Sequence, residues 1–442
     1  MQTMTQSEIS GHLVFADLHI HGKYSRATSK SMDIPTILHY AQIKGLDLIG
    51  TGDFTHPMWR RELHTNLEEV PDTGLYASKK NPAIQFMVTA EVCTIFDHQG
   101  IGKKIHHLLF CPSLEIADQV SNSLSRYGNL ESDGRPTLKV SASELVEVVM
   151  GLSKDNVIIP AHVWTPWFSL FGSMNGFDRI EDCYQDKTPQ IPALETGLSS
   201  DPPMNWRLST LDRFALISNS DAHSPYPYRI GREANVFQLE RITYRELIDT
   251  LRSRNKRHFL FTIETDPAYG KYHWSGHRRC NISIPASESK RLGGICPICR
   301  RKLTGGVEER VEKLADRSMG YRPEAAVGFK HLMPLQETIA TVMNVESEAS
   351  SAVWNEYTSL VNRFGNEYNV LLASENELAS ATDPKIAEVI VKTRNDEIAV
   401  VPGYDGVYGH LDLKARRDVV SEHQKQLRGQ SNLFDFVRDK KT

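Results

Sequence analysis

Residues 13–21 read LVFADLHIH, an apolar run that passes directly into an aspartate and two histidines. A short apolar run of this kind is typical of a buried strand. The same order recurs far downstream, where residues 214–223 read FALISNSDAH. Both stretches therefore place imidazoles and carboxylates at strand ends, which is where β/α barrels build their sites. Together they predict an α/β fold with a metal site at one rim.

The region between residues 13 and 260 alternates apolar runs with amphipathic stretches of helical period. This alternation predicts a parallel sheet or barrel rather than a sandwich. The predicted strands are residues 13–20, 46–52, 86–95, 104–111, 156–162, 191–195, 214–219 and 234–239. Capping residues and an early proline predict helices over 33–44, 143–152 and 243–254.

Composition sets the broad class. The chain has 442 residues, more than one hydrophobic core usually holds, so several structural units are expected. No apolar run approaches the roughly 20 residues that span a bilayer, and we expect a cytoplasmic protein without a membrane partner. The net charge of −4 argues against a generic polyanion binder. Any contact with nucleic acid must therefore come from a local basic patch.

The sequence divides into parts of different texture. Residues 1–264 form the predicted catalytic barrel domain, 265–305 a small segment, 306–411 a helical C-terminal domain and 412–442 a polar tail. The small segment contains few apolar runs and cannot form a core of its own. We therefore expect it to need a bound structural metal ion.

Histidines and acidic residues recur at or near the predicted strand ends, where such groups are rare unless they are paired or coordinated. The metal-ligand candidates are His19, His21, Asp53, Glu91, His106, His162, Glu195, Asp221 and His223. Imidazoles with carboxylates suit zinc, manganese or iron, and the carboxylate share also allows magnesium. The number of candidates implies two or three divalent cations. Of the adjacent residues His106 and His107, strand alternation turns only one inward, and His106 is chosen.

These residues carry a resemblance. The stretches DLHIH at 17–21, TGDFTHP at 51–57, PAH at 160–162 and SDAH at 220–223, with Glu91 and His106, resemble the polymerase and histidinol phosphatase (PHP) superfamily of metal phosphoesterases. The resemblance implies a distorted (β/α)7 barrel with a trinuclear metal centre. It implies one metal bound by His19, His21, Glu91 and Asp221, a second bridged by Glu91 and held by His106 and His162, and a third served by His223.

The chain departs from the pattern of the small-molecule members of that superfamily. Those members carry a further histidine where Ala27 stands, and an Asp-His pair where Asp53 and Phe54 stand. The third metal therefore has Asp53 or His56 as its expected additional ligand.

Longer sequence motifs are similar to those of the endonuclease Q family: YSRATSK at 24–30, GTGDFTHP at 50–57, AHVWTPW at 161–167 and ETGLSSDP at 195–202. Members of that family nick DNA on the 5′ side of deaminated bases (hypoxanthine, uracil, xanthine) and at abasic sites. The resemblance implies a metal-dependent DNA repair endonuclease that leaves a 3′-hydroxyl and a 5′-phosphate. Asp221 is its expected catalytic residue, holding a metal and orienting or deprotonating the nucleophile. The alternatives are a small-molecule phosphomonoesterase on the same barrel and a non-catalytic DNA-binding module.

A second ligand pattern lies in the small segment. His277-x2-Cys280 and Cys296-x2-Cys299 fit one closed structural zinc site, with His273 as an alternative to His277. A reduced cysteine cluster is the other interpretation. The predicted DNA-binding residues around it are Arg278, Arg279, Arg300, Arg301 and Lys302. In that interpretation, the cations bind a phosphate backbone and release its counterions. The alternative is a basic loop that is only solvated.

Two further features have competing interpretations. Trp164, Trp167, Phe168 and Phe171 follow His162 and could hold an extruded base or simply pack. Residues 430–434, QSNLF, resemble the peptide by which bacterial DNA-repair proteins bind the sliding clamp, with Gln430, Leu433 and Phe434 as its contacts. A tail helix that packs on its own domain is the alternative.

Overall fold

The structure of the chain, a computed structural model, describes residues 11–416. Its strands are β1 (His12–Asp17), β2 (Leu48–Gly50), β3 (Leu67–Val70), β4 (Leu75–Ser78), β5 (Gln85–His98), β6 (Ile101–Cys111), β7 (Thr137–Leu138), β8 (Val157–Pro160), β9 (Ala193–Glu195), β10 (Ala215–Ile217), β11 (Ala234–Leu239), β12 (Phe259–Glu264), β13 (Ser275–His277), β14 (Ile282–Ile284), β15 (Gly328–His331), β16 (Ile398–Val401) and β17 (His410–Arg416). Every strand predicted from the sequence overlaps an observed one.

The helices are α1 (Ile34–Lys44), α2 (Pro57–Asn66), α3 (Leu114–Leu124), α4 (Ala142–Leu152), α5 (Ile180–Tyr184), α6 (Pro202–Asn205), α7 (Tyr244–Ser253), α8 (Ala286–Arg291), α9 (Val307–Leu314), α10 (Leu335–Met343), α11 (Ser351–Phe364), α12 (Glu367–Leu372), α13 (Glu375–Ala379) and α14 (Pro384–Arg394). Local chemistry sets their ends. The Asp33 carboxylate caps α1 by accepting from the backbone N–H of Thr36, and Gly45 ends the same helix with a φ of 97°.

The main sheet is mixed. Its strand order is β15-β12-β11-β1-β2-β5-β4-β3, and β6 and β8 extend from β5. Strands β1, β2 and β5 run parallel, whereas β11 pairs antiparallel with β1. The predicted α/β class is confirmed, but no closed ring of paired strands is found among residues 11–416. Strands β9 and β10 instead form a separate parallel pair.

The ring is interrupted between β8 and β9 and between β10 and β1, and side-chain amides bridge the second interruption. Asn219 accepts a hydrogen bond from the backbone N–H of Leu18 at 2.8 Å. Asn235 accepts from the N–H of Ser218 at 3.1 Å and donates to the carbonyl of Ala16 at 3.3 Å. Because these bonds satisfy buried backbone groups without a ladder, the strand ends still meet at one rim.

One buried core lies among these strands despite the open ladder. Alternating residues of β1, β2, β5, β6, β8, β9, β10 and β11 form one buried cluster, which includes Val14, Met87, Ile159 and Phe237. Leu247 and Leu251 of α7 belong to the same cluster. The layer on the other face of the sheet includes Ile37 and Ala41 of α1. The strand ends that carry the polar motifs thus project from a rigid, close-packed base.

The predicted helical C-terminal region is confirmed, and it packs on elements that precede residue 264. The Lys44 ammonium of α1 donates to Glu367 at 2.7 Å, and the Tyr368 hydroxyl donates to the carbonyl of Gly231 at 2.6 Å. Strand β17 pairs with β16 and runs past the expected boundary at residue 411. No helix in the part of the chain that the structure describes is both long and apolar enough to cross a membrane. The peptide with Gln430, Leu433 and Phe434 lies outside the described residues.

Candidate metal centre

Two groups of ligand-type side chains meet at the rim and share Glu91. The first cluster consists of His19, His21, Glu91 and Asp221, and the second cluster of Glu91, His106 and His162. Within each cluster, the ligand atoms lie within 4.8 Å of one another. All members are buried except Asp221, whose side chain is 30% exposed. Asp221 is therefore the member that faces the open side.

Each oxygen of Glu91 faces a different cluster. Oε2 lies 3.3 Å from His21 Nε2 and 3.6 Å from His19 Nε2. Oε1 lies 2.7 Å from His106 Nδ1 and 3.1 Å from His162 Nε2. Asp221 completes the first cluster, with Oδ1 3.0 Å from His21 Nε2 and 3.5 Å from His19 Nε2. A carboxylate in this position can bridge two cations.

The electrostatics of the site favour cations. Burial acts to raise the pKa of Glu91, but His106, Arg135 and His19 outweigh it and hold the pKa well below its usual range. Burial likewise opposes ionisation of Asp221, and the neighbouring imidazoles keep its pKa low. Burial lowers the pKa of His106 to about 4. Against the effect of burial, the neighbouring carboxylates raise the pKa of His19 and His21 above 6.5, so these two rings would release a proton when they bind a metal.

The donor set fits divalent cations. His19 Nε2 is buried and has no hydrogen-bond partner among the described residues, although it points at Glu91 and Asp221. An unsatisfied buried nitrogen is costly, and coordination would satisfy it. Ligand atoms about 2.1 Å from a shared ion stand about 3.0–3.4 Å apart, and His106 Nδ1 lies 3.2 Å from His162 Nε2.

Glu195 and Asp53, both predicted as metal ligands, lie outside the two clusters. Glu195 contacts His19 on the ring nitrogen that faces away from the first cluster, with Nδ1 at 3.0 Å, and also accepts from Asn219 at 2.9 Å. Asp53 lies 2.9 Å from the corresponding Nδ1 of His21 and accepts from the N–H of Gly22 at 2.7 Å. A carboxylate on the outer nitrogen of a ligating histidine fixes the tautomer and the ring orientation.

The residues expected at a third metal are dispersed. His223 contacts His21 with the two rings tilted by 52° and their centroids 4.3 Å apart, and its Nδ1 lies 2.9 Å from the carbonyl oxygen of Asp221. His56 stacks on Tyr24 with centroids 4.7 Å apart. Within the described ranges, no third group of ligand side chains forms beside the first two.

Strand alternation separates His106 from its neighbour. His106 points into the second cluster. His107 points to the opposite face, where it lies 2.9 Å from the Thr94 hydroxyl and 2.7 Å from the Tyr184 hydroxyl. The structure thus places the chosen histidine at the site and gives the other a role in the core.

Three residues of the site have a strained backbone. Asp53, His162 and Asp221 have φ angles of 48°, 32° and 48°, in the left-handed region that non-glycine residues rarely adopt. Each such conformation costs about 1–3 kcal/mol and persists where the surroundings impose it. In all three cases the strain is found at, or directly behind, a cluster ligand.

Sequence analysis missed Arg135. Its guanidinium NH1 donates to Glu91 Oε2 at 3.1 Å, and the Glu91 charge raises the pKa of Arg135 further. The residue lies in a turn before β7 and is not a ligand type, so neither the strand pattern nor the ligand pattern selects it. The adjacent Asp133-Gly134 turn was the available signal.

The aromatic residues after His162 divide into two pairs. Trp164 and Phe171 are buried, with ring centroids 4.9 Å apart, and belong to the core. Trp167 and Phe168 are each 40% exposed. Phe168 lies 5.1 Å from the His106 ring, and Trp167 meets the edge of Tyr272 at 5.0 Å. Only the second pair is placed where a ligand could reach it.

A separate group in the small segment brings together the predicted zinc ligands His277, Cys280, Cys296 and Cys299 within 4.8 Å. His273 is not part of it. Burial acts to raise the pKa of Cys296, but the backbone N–H groups of Cys299 and Ile298 lower it to about 6. A thiolate held by backbone amides is a good zinc ligand. The basic residues Arg278, Arg279, Arg300, Arg301 and Lys302 are all exposed on this segment.

Comparison with known proteins places these features in context. The chain superposes on the crystal structure of the lesion-specific endonuclease PfuEndoQ from Pyrococcus furiosus with a TM-score of 0.81 and 34% identity, covering 91% of this chain and 97% of that one. It superposes on endonuclease Q in complex with a 27-mer duplex substrate with an abasic lesion at the active site with a TM-score of 0.80 and 33% identity, covering 93% and 100%.

Sequence relatives extend the comparison. The uncharacterized protein YqxK of Bacillus subtilis is 29% identical over 420 residues, which is 90% of this chain and 99% of the relative. The uncharacterized protein MJ0043 of Methanocaldococcus jannaschii is 32% identical over 260 residues, which is 58% of this chain but only 32% of that longer protein. Residues 334–397 match the family described as the MJ0043 C-terminal domain.

Proposed function

The chain belongs to the endonuclease Q family, and from that premise we propose that it is a metal-dependent DNA repair endonuclease. It would cut the phosphodiester on the 5′ side of deaminated bases (hypoxanthine, uracil, xanthine) and abasic sites. The observation that carries the proposal is the position of Glu91, whose two oxygens face two clusters of buried ligands at one rim. The similarity to an endonuclease Q that holds an abasic duplex supports DNA as the partner.

The two clusters would hold two of the divalent cations, zinc, manganese or magnesium, and His223 remains the candidate for a third. Cations in such sites lower the pKa of water and neutralise charge on a phosphate group. Glu195 and Asp53 would orient the rings of His19 and His21 through their outer nitrogens.

Asp221 would act directly on the reaction. The neighbouring imidazoles hold its pKa low against the effect of burial, its side chain is the most exposed of the first cluster at 30%, and its backbone has a strained φ of 48°. Its carboxylate can orient the attacking water and accept its proton. The water oxygen then bonds to phosphorus while the bond from phosphorus to the 3′ oxygen breaks. The leaving oxygen takes up a proton, which leaves a 3′-hydroxyl and a 5′-phosphate.

The small segment would bind one structural zinc through His277, Cys280, Cys296 and Cys299 and thereby hold the exposed arginines against the DNA backbone. Ile298, between Cys296 and Cys299, is 65% exposed. We keep the sliding clamp as a proposed partner of Gln430, Leu433 and Phe434, on the sequence resemblance alone.

The test uses duplexes that carry one hypoxanthine, uracil or abasic site, incubated with the protein and Mn²⁺ or Mg²⁺. We expect a single cut on the 5′ side of the lesion, absent in Asp221→Asn and retained in Asp249→Asn, a surface change on α7. Equal cutting of undamaged duplex would contradict lesion specificity. Release of phosphate from monophosphates alone would favour the small-molecule phosphomonoesterase.

A further inference from the structure

Arg135 occupies an unusual place for a cation. Its NH1 donates to Oε2 of Glu91 at 3.1 Å, and this oxygen also faces His19 and His21 in the first cluster. The side chain is 23% exposed, so it reaches from the buried carboxylate towards the open side. The charge of Asp221, on that open side, also acts on the guanidinium.

The backbone around Arg135 is fixed from both ends. The Asp133 carboxylate accepts from the N–H of Arg135 at 3.2 Å and from the Ser25 hydroxyl at 3.2 Å. The carbonyl of Pro136 accepts from the N–H of Cys93 on β5 at 2.9 Å. At Gly134, a Cβ atom would lie 2.4 Å from Asp53 Oδ2, so only glycine fits. The turn is therefore held against the site before any ligand arrives.

A guanidinium beside a cation site is unfavourable unless an anion lies between the two charges. Glu91 supplies part of that negative charge, and it is the single hydrogen-bond partner of the Arg135 side chain among residues 11–416. The remaining N–H donors of the fork are free for another acceptor. A planar guanidinium fork matches the oxygens of a phosphate group. The anion that this rim would receive is a phosphodiester.

We infer that Arg135 donates hydrogen bonds to a non-bridging oxygen of the scissile phosphate and stabilises the charge on that oxygen as the attacking water adds. The inference rests on the proposed function and adds a catalytic residue that is not a metal ligand. Glu91 would hold one side of the fork in place while the other side meets the substrate.

The test compares Arg135→Met and Arg135→Lys in single-turnover nicking of an abasic duplex with Mn²⁺. Loss of one preorganised donor to a developing anion costs about 10²–10³-fold in rate. We expect a loss of that size for methionine and partial recovery for lysine, which retains the charge but not the fork. The matched control is Arg207→Met, because Arg207 is similarly ion-paired, to Glu312, but lies outside both clusters.

Two measurements separate phosphate binding from mere support of Glu91. Bound metal is measured by elemental analysis, and inorganic phosphate affinity by calorimetry of the Mn²⁺-loaded protein. We expect unchanged metal content and at least about tenfold weaker phosphate binding in Arg135→Met, a modest loss for one charged donor. Should that variant fail to fold, Arg135→Lys carries the same measurements.

Wild-type nicking by Arg135→Met, or metal loss that parallels the loss of activity in both variants, would overturn the inference. A wild-type protein that cuts no lesion duplex, yet binds phosphate through Arg135, would instead refute the proposed function, and only the phosphate contact of Arg135 would remain of this inference.

Discussion

The clusters around Glu91 and the group around Cys296 offer metal ligands from opposite structural settings. Around Glu91, every ligand but Asp221 is buried, and two of the imidazoles rest on outer carboxylates. In the small segment, Cys296 is the only buried member of its group. The ligands there come from the short hairpin β13–β14 and nearby turns, including Gly293 and Gly294 with φ of 62° and 69°.

The difference shows whether the fold positions the metal ligands or the metal stabilises the fold. At the rim, a close-packed core and strained backbone place the ligands, so the fold makes the site. In the small segment little apolar surface is available, so a bound metal would make the fold. Variants of the two sites should therefore fail in different ways.

The largest effect is expected from Glu91→Gln. Because the two Glu91 oxygens serve both clusters, the substitution disturbs both at once, and removal of a central group costs on the order of 10⁴-fold or more in rate. Single-turnover nicking measures this loss. The variant should unfold at close to the wild-type temperature, because we expect close packing rather than bound metal to hold the sheet together.

The matched control for this variant is Glu115→Gln, an exposed position on α3. It should nick at the wild-type rate. A Glu91→Gln protein that unfolds would show that the rim depends on its ligands as the small segment does, and the contrast between the two regions would disappear.

A smaller loss, about 10²-fold in DNA affinity, is expected from Cys296→Ala. The variant should lose one zinc and the order of residues 272–305, and DNA affinity should fall because the arginines lose their fixed positions. Hydrogen exchange should rise in the segment and stay unchanged in the strands of the main sheet. Cys183→Ala, at a buried cysteine of α5, should retain the zinc. Protection that is unchanged in Cys296→Ala would mean that the segment folds without metal.

A loss of 10–100-fold in metal affinity is expected from Glu195→Gln, the typical cost of removing the outer partner of a ligating histidine. The His19 ring keeps its position less firmly, but the ligand itself remains. Raised Mn²⁺ should therefore restore nicking by this variant and not by Asp221→Asn. If excess Mn²⁺ does not restore it, Glu195 acts as more than an orienting group.

The sequence predicted much of the rim because most of its ligand-type residues follow an apolar run that can be recognised in the sequence. An apolar run followed by a histidine or carboxylate predicted a strand end for His19, His21, His162 and Asp221. Glu91 lies instead in the middle of β5, although all five residues meet in space as expected. The spacing of Cys280, Cys296 and Cys299 likewise predicted a group that the structure brings together.

The sequence could not show which nitrogen of a histidine ring a neighbouring carboxylate contacts. Glu195 and Asp53 carry the right chemistry for ligands, but they face Nδ1 of their histidines rather than the clusters. Ring orientation is set by packing, which no spacing rule reports. Arg135 was invisible because its turn carries no strand pattern, and the open ladder was invisible because Asn219 and Asn235 replace it with side-chain bonds.

The smallest effect concerns the join between the main sheet and the helical C-terminal region, which should behave as part of the rigid base. His331 lies with Nδ1 2.7 Å from Asp396 and Nε2 3.3 Å from Asp201. Burial lowers its pKa, but Asp396, Asp201 and the nearby Asp266 raise it well above 6.5.

Because the folded-state pKa exceeds the unfolded one, His331 stabilises the protein fully below about pH 6.5, and the contribution disappears as pH rises through the folded-state pKa. Urea unfolding at pH 6 and pH 10 should therefore show an alkaline loss that is smaller in His331→Gln by about 1–3 kcal/mol. His39→Gln, an exposed position on α1, is the control. An alkaline loss of equal size in His331→Gln and wild type would assign the pH dependence to other groups, and the join would then rest on contacts such as Lys44 with Glu367.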